Sequence, residues 1–156
     1  MTTSVPISVE LSDEQATTAL AQRIAPHLKP GDLLILDGPL GSGKTFFTRA
    51  LCRALHLPED VRVPSPTFTL VHEHDTDPPL AHADVYRLTN EEEVMELGLD
   101  AQRDAGYIVV VEWGAPFIDV LGGDALVVRL TLDPRTAKLC SSGSSSSKLL
   151  QAVRDS

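Results

Sequence analysis

Residues 32–45 of the chain read DLLILDGPLGSGKT. The run DLLILD is short and apolar between its aspartates, which is typical of a strand buried on both faces of a sheet. The residues after it match the pattern G-x-x-x-x-G-K-[ST] at Gly38, Gly43, Lys44 and Thr45. Glycines let backbone N–H groups close around phosphate oxygens, and a following helix directs the positive end of its dipole at them. The stretch therefore predicts a site for a di- or triphosphate.

The end of this loop and the absence of a guanine-binding motif indicate which nucleotide and which metal ion the site binds. In such loops the lysine, here Lys44, reaches the β- and γ-phosphates, and the next hydroxyl, here that of Thr45, ligates Mg²⁺. Proteins that bind guanine nucleotides usually also carry an N/T-K-x-D motif, and the sequence contains none. We therefore expect ATP and Mg²⁺ as cofactors, with Lys44 acting in catalysis as well as in binding.

An acidic residue ends a second predicted strand. Glu112 follows the β-branched run at residues 107–111, and the carboxyl ends of parallel strands border the ligand crevice of an α/β sheet. A magnesium triphosphate site needs such an acid, so we predict that Glu112 is catalytic and shares the metal with Thr45. Asp84 lies in a possible strand, where single aspartates are common, so its position alone leaves open whether it belongs to the site. Trp113 either covers the edge of the core or faces the nucleotide.

The histidines offer an alternative site. His72 and His74 share one face of a predicted strand, and His82 is near in sequence, so the three could hold a metal. Surface histidines near a turn are the commoner explanation of this pattern. The sequence alone does not decide between the two.

Length and composition indicate one globular domain spanning residues 1–156. The chain has 156 residues, 42% of them hydrophobic, with no apparent leader or membrane-spanning run, so we expect a cytoplasmic protein that makes no membrane contact. Its formal net charge of −9 opposes direct binding to a phosphate backbone. If the protein serves a nucleic acid, we expect another protein to hold the strand. Cys52 falls in an apolar helical pattern and is expected to be a buried, reduced thiol.

The order of predicted elements is that of an α/β protein. Ser12 and Gln15 form a capping box before a helix, and strands at residues 32–37, 69–74, 81–87, 107–111 and 125–132 are separated by helical or turn segments. We expect a P-loop NTPase-like, mostly parallel central sheet that is flanked by helices and has antiparallel edge strands. An edge strand would begin near Leu139. The serine-rich residues 140–147 are predicted to be flexible, because they contain little that can pack.

The residues leave other functions open. Small-molecule kinases also combine a phosphate-binding loop with a compact α/β sheet, but they usually add an arginine-bearing lid. In this sequence the segments after the phosphate-binding loop are short and contain no arginine cluster, which disfavours a kinase. A nucleotide-dependent binding module with negligible hydrolysis of its own is a third class.

Several motifs occur together in this order: GPLGSGKT, then SPTFTL at residues 65–70, HADVYRL at residues 82–88 and VVVEWG at residues 109–114. In this combination the chain resembles the TsaE family, also called YjeE. The resemblance implies an ATPase that supports the TsaB–TsaD complex in forming N6-threonylcarbamoyladenosine in tRNAs that read ANN codons. It also implies that TsaD carries the transfer chemistry and that this chain meets tRNA only through the complex.

The resemblance also implies roles for individual residues. Leu40, Gly41, Ser42 and Gly43 would wrap the phosphates together with Lys44 and Thr45, while Thr45 and Glu112 would hold Mg²⁺. Asp84 would assist the metal or the attacking water, and Thr67 would sense the γ-phosphate from a switch-like loop. Glu14 and Arg135 would approach the nucleotide. The ATP-binding set implied in this way is Glu14, Leu40, Gly41, Ser42, Gly43, Lys44, Thr45, Thr67, Trp113 and Arg135.

Overall fold

The computed structural model describes residues 5–66 and 70–156. Within these ranges the strands are β1 (Ile7–Glu10), β2 (Leu33–Asp37), β3 (Val71–His74), β4 (Leu80–Asp84), β5 (Ile108–Glu112), β6 (Leu126–Thr131) and β7 (Thr136–Ser141). The helices are α1 (Glu14–Ile24), α2 (Lys44–Ala54), α3 (Glu91–Met95), α4 (Leu99–Asp104) and α5 (Ser144–Asp155). None of the helices in the described ranges is long and apolar enough to cross a membrane.

The strands form one sheet in the order β1-β7-β6-β2-β5-β4-β3. Its centre is parallel, because β2 pairs in parallel with both β5 and β6, and β4 pairs in parallel with β5. The margins are antiparallel, with β7 on β6, β1 on β7 and β3 on β4. The predicted α/β architecture is confirmed. Because β2 lies between β5 and β6, the loop after β2 opens beside the carboxyl end of β5.

Side chains of β2 alternate between two apolar layers. Leu34 and Leu36 pack in a core with α1, α2 and α5, whereas Leu33 and Ile35 pack in a second core with α3 and α4. All four are at most 2% exposed. The strand is therefore covered on both faces, which explains why its sequence is continuously apolar instead of alternating.

Several boundaries differ from the predictions. The N-cap of α1 is Asp13, not Ser12, because the Asp13 carboxylate accepts a hydrogen bond from the Ala16 amide at 2.8 Å. The expectation of an edge strand at Leu139 was wrong, since β7 lies inside the sheet and β1 covers its outer side. The short β1 and α4 were not predicted from the sequence. Within the described residues, the strand predicted at 69–74 begins at Val71.

The serine-rich segment is ordered, and the prediction of a flexible stretch at residues 140–147 was wrong. Strand β7 continues to Ser141, and α5 begins at Ser144. The carboxylate of Asp124 accepts hydrogen bonds from the amides of Ser145 and Ser146, both at 2.9 Å. These serines therefore form the first turn of a helix that is capped by a side chain remote in sequence.

Cys52 lies in the core as predicted. It is a free cysteine with 0% exposure, on the face of α2 that packs on the sheet. Burial raises the pKa of its thiol to about 12, so the group is protonated at neutral pH and poorly nucleophilic.

Replacing Asp124 by alanine should destabilise the protein by about 1 kcal/mol, the usual cost of losing a helix N-cap. Burial acts to raise the pKa of Asp124, but hydrogen bonds from Ser146 and the Ser145 amide outweigh it and lower the pKa. The stabilisation is thus complete above the ordinary value of 3.8 and is lost as the pH falls through the lower folded-state value. Urea denaturation at pH 7 and at about pH 3 measures this difference.

The exposed Asp60, replaced in the same way, is the control. Equal stability changes in the Asp124→Ala and Asp60→Ala proteins would contradict a capping role for Asp124.

Candidate functional site

The loop between β2 and α2 requires glycine at its first position. Gly38 has φ +148°, and a Cβ there would lie 2.6 Å from the backbone oxygen of Leu130 on β6. A larger residue would push the loop away from β6. Gly43, at φ +99°, then turns the chain into α2, so that Lys44 and Thr45 are the first two residues of the helix.

Lys44 is folded back against the loop that precedes it. Its ammonium donates hydrogen bonds to the backbone oxygens of Gly38 at 2.6 Å and Pro39 at 3.1 Å. It also lies 4.0 Å from the centre of the Trp113 ring. Burial lowers the pKa of Lys44, while the charges of Glu112, Asp37 and Asp84 oppose that effect. The ammonium is thus partly shielded from solvent, and its pairing with an anion is stronger there than in water.

Thr45, on α2, and Glu112, at the end of β5, are joined by a hydrogen bond. The Thr45 hydroxyl donates to Oε2 of Glu112 at 3.2 Å, and the Glu112 residue is only 4% exposed. This contact follows from the register of β5 on β2, which pairs Glu112 with Leu36. A hydroxyl and a carboxylate together are oxygen donors that suit Mg²⁺, so these residues fit the predicted metal.

Asp84 ends β4 directly beside Glu112, its partner in the parallel register. Its Oδ1 accepts a hydrogen bond from the Tyr86 amide at 2.9 Å. Burial and then the charge of Glu112 raise the pKa of Asp84, against the lowering effects of the Tyr86 amide, His82 and Lys44. Two carboxylates and one ammonium therefore share one end of the sheet.

Most of the predicted site residues line one cavity of about 480 Å³. Phe46, Tyr86 and Arg87 line it too and were not predicted, and so does Ser65, the first residue of the predicted switch-like SPTFTL segment. Tyr86 lies against Trp113, with ring centres 4.8 Å apart, and forms an aromatic wall. The HADVYRL motif contains Tyr86 and Arg87 but does not reveal which of its side chains face the ligand. The predicted residues in the lining are Leu40, Gly41, Gly43, Lys44, Thr45, Asp84, Glu112 and Trp113.

Three of the predicted nucleotide contacts do not line this cavity. Glu14 begins α1, is exposed and does not line the cavity. Arg135 touches the loop from outside, its guanidinium donating to the Ser42 backbone oxygen at 3.5 Å. Ser42 turns its hydroxyl inward, where the oxygen is buried with no hydrogen-bond partner among the described residues. Thr67 lies outside the described residues.

The histidines lie on one face of β3 and β4, and the surface explanation was wrong for His74 and His82, whereas His72 is half-buried. His82 is 0% exposed and His74 is 7% exposed. Burial, followed by the charges of His82, His72 and Arg53, lowers the pKa of His74 to about 4. Across residues 5–66 and 70–156, no group of three or more His, Cys, Asp and Glu side chains is arranged to hold a metal ion.

A larger depression of about 800 Å³ lies beside β3, away from the loop. It is more open and contains none of the residues of the phosphate-binding loop, so cavity volume alone does not select the loop cavity. Its lining is Leu57, Pro58, Val61, Arg62, Pro64, Val71, His72, Glu73, His74 and Asp75.

Sequence comparisons identify similar proteins over most of the chain. The family model described as "Threonylcarbamoyl adenosine biosynthesis protein TsaE" matches residues 11–139. The tRNA threonylcarbamoyladenosine biosynthesis protein TsaE of Rickettsia felis is 34% identical over 149 residues, which cover 94% of this chain and 86% of the relative. The protein of that name from Bacillus subtilis is 43% identical over 100 residues, or 64% of this chain and 61% of the relative.

A solved structure shares the fold. The crystal structure of YdiB from Bacillus subtilis matches with a TM-score of 0.82 and 27% sequence identity. The match covers 99% of this chain and 97% of that chain, so the order of strands and helices is common to both proteins almost throughout.

Replacing Asp84 by asparagine should stabilise the fold at pH 7 by roughly 0.5–2 kcal/mol, the usual gain from a single stabilising substitution. Asparagine keeps an acceptor for the Tyr86 amide but carries no charge near Glu112. Because the folded-state pKa of Asp84 is raised, its ionisation destabilises the fold once the pH exceeds the ordinary value of 3.8. The gain should therefore be small at about pH 3 and increase with pH in thermal denaturation.

Asp60→Asn, at an exposed position, controls for the loss of a negative charge from an acidic chain. A stability gain independent of pH, or equal in both variants, would show that Asp84 is not strained by burial and by Glu112.

Proposed function

Because the chain belongs to the TsaE family of tRNA threonylcarbamoyladenosine biosynthesis proteins, we propose that it binds ATP with Mg²⁺ and hydrolyses it to support that modification. In this proposal the protein works in the cytoplasm with the TsaB–TsaD complex, in which TsaD carries out the transfer. It meets tRNA only through that complex, since its net charge of −9 opposes direct contact with the RNA backbone.

One contact carries the proposal: the Thr45 hydroxyl lies 3.2 Å from the Glu112 carboxylate. The first turn of α2 supplies the hydroxyl and the end of β5 supplies the carboxylate, as a site for a magnesium-bound nucleotide requires. Thr45 and Glu112 are the residues that would hold Mg²⁺. When bound, the ion would neutralise charge on the β- and γ-phosphates.

The other charged residues have separate tasks in the proposed reaction. Lys44 exchanges its bonds to the neutral Gly38 and Pro39 oxygens for bonds to phosphate oxygens, which are stronger because the acceptor is charged as well as the donor. Hydrolysis joins a water oxygen to the γ-phosphorus and breaks the bond to the β–γ bridging oxygen. Asp84 is fixed by the Tyr86 amide at the cavity wall, where its carboxylate can orient that water and accept its proton.

Nucleotide binding tests the first part of the proposal. Lys44→Ala should weaken ATP affinity roughly tenfold or more, because a hydrogen bond to a charged group contributes about 1.5–3 kcal/mol. Trp113 is the only tryptophan and lies beside Lys44, so its fluorescence should report binding. Titrations with Mg²⁺ and with a chelator separate the metal-dependent affinity, which Glu112→Ala should abolish.

Lys148→Ala, an exposed lysine on α5, is the matched control and should bind like the unaltered protein. Absence of any magnesium-dependent affinity of the unaltered protein for ATP would refute the proposal.

Reconstituted tRNA modification tests the second part. With TsaB and TsaD present, repeated turnover should require the intact chain, and Lys44→Ala and Glu112→Ala should yield little beyond a first round. Modified adenosine per TsaD molecule is the quantity to measure over time. Equal multiple-turnover yields with and without this protein would contradict the proposed role in the modification.

A further inference from the structure

His82 is a buried polar side chain that contacts Glu112, one of the two proposed metal ligands. It lies on β4, is 0% exposed, and its Nε2 is 2.5 Å from Oε2 of Glu112. Its neighbour in register on β5 is Val110, two residues before Glu112, so both side chains lie on the same face of the sheet. The other ring nitrogen, Nδ1, is buried and has no hydrogen-bond partner among the described residues.

These contacts determine where the His82 proton lies. Opposite an ionised Glu112, a lone pair on Nε2 would face a carboxylate oxygen at 2.5 Å without a hydrogen between them, so Nε2–H donates to that oxygen. An Nε2–H that donates to Oε2 of Glu112 therefore fits the observed contact.

Glu112 Oε2 receives donors from two directions, Nε2 of His82 and Oγ1 of Thr45. The two donors differ in what they can do next. The Thr45 hydroxyl has lone pairs and can rotate to ligate a cation. The side chain of His82, in contrast, is fully buried and does not line the cavity. His82 can therefore hold the carboxylate while Thr45 changes its role.

We propose that His82 is a positioning residue, which donates Nε2–H to Glu112 and fixes that carboxylate beside Thr45 for a divalent cation. The inference rests on the proposed function, because it assigns the cation to Thr45 and Glu112. Hydrogen-bonded partners that orient metal ligands typically contribute 10- to 100-fold to metal affinity or activity. A histidine here accordingly serves better than an apolar side chain of similar size, which would fill the space and leave Glu112 free to rotate.

Two substitutions separate positioning from packing. His82→Leu retains volume but removes the donor, whereas His82→Gln can place an N–H near the position of Nε2. The readout is Mn²⁺ affinity, measured by electron paramagnetic resonance on protein saturated with a non-hydrolysable ATP analogue. We expect His82→Leu to weaken Mn²⁺ binding roughly 10- to 100-fold and His82→Gln to restore most of the affinity. Affinity for the analogue without metal should change little in either variant.

His74→Leu is the matched control, because His74 is also buried on the same face but its ring centre is 6.4 Å from that of His82. It should leave Mn²⁺ affinity unchanged. Loss of affinity in His74→Leu equal to that in His82→Leu would mean that any buried histidine substitution disturbs the site, and it would overturn the inference. Unchanged Mn²⁺ affinity in His82→Leu would overturn it too.

A measurement on the metal-free, unaltered chain keeps the inference testable even if a variant fails to fold. Nitrogen NMR of His82 should show a proton on Nε2, and Glu112→Gln should shift the Nε2 resonance. Absence of a proton from Nε2 would overturn the inference. If the unaltered protein shows no metal-dependent affinity for ATP while the NMR result holds, the proposed function fails and the His82–Glu112 contact stands.

Discussion

The parallel pairing of β5 with β2 is the constraint on which the site depends. It sets Glu112 opposite Leu36, one residue before the end of β2, and α2 then returns Thr45 to within 3.2 Å of Glu112. A shift of one residue in this register would turn Glu112 to the opposite face of the sheet, among the apolar side chains that pack on α3 and α4. The apolar residues of β2 and β5, buried on both faces, hold that register. Core packing thus positions a polar contact.

The carboxyl ends of β4 and β5 also place two carboxylates side by side, which is electrostatically unfavourable. Asp84 and Glu112 are adjacent in register, and burial with the charge of Glu112 raises the pKa of Asp84. Lys44 is the opposing charge, yet it is partly desolvated itself, and burial lowers its pKa. Trp113, which lies over that ammonium, has a positive φ of 64°, a conformation that side-chain-bearing residues rarely adopt. Strain of this kind persists where the surrounding fold enforces it and is common at functional sites.

Sequence reasoning succeeded where one local signal decides the structure. The β2–loop–α2 junction could be predicted because the apolar run, the glycines and the helix formers are contiguous. The position of Glu112 at a strand's carboxyl end could be predicted because it follows a continuously apolar run. Sequence reasoning failed where distant residues decide. The serine run looked unstructured, but Asp124, remote in sequence, caps it as a helix. His82 resembled a surface histidine, since only the pairing of β4 with β5 reveals that it is enclosed against Glu112.

The position of Lys44 bears on how tightly any phosphate can bind. Its ammonium already forms hydrogen bonds to the Gly38 and Pro39 oxygens and lies over the Trp113 ring. In the proposed site, phosphate oxygens would compete with these partners, so only the excess strength of bonds to charged phosphate over bonds to neutral carbonyl oxygens would contribute to affinity. The two carboxylates nearby would repel a bare triphosphate, and a divalent cation held by Thr45 and Glu112 would remove part of that repulsion. Nucleotide and metal should therefore bind as one unit, each weakly without the other.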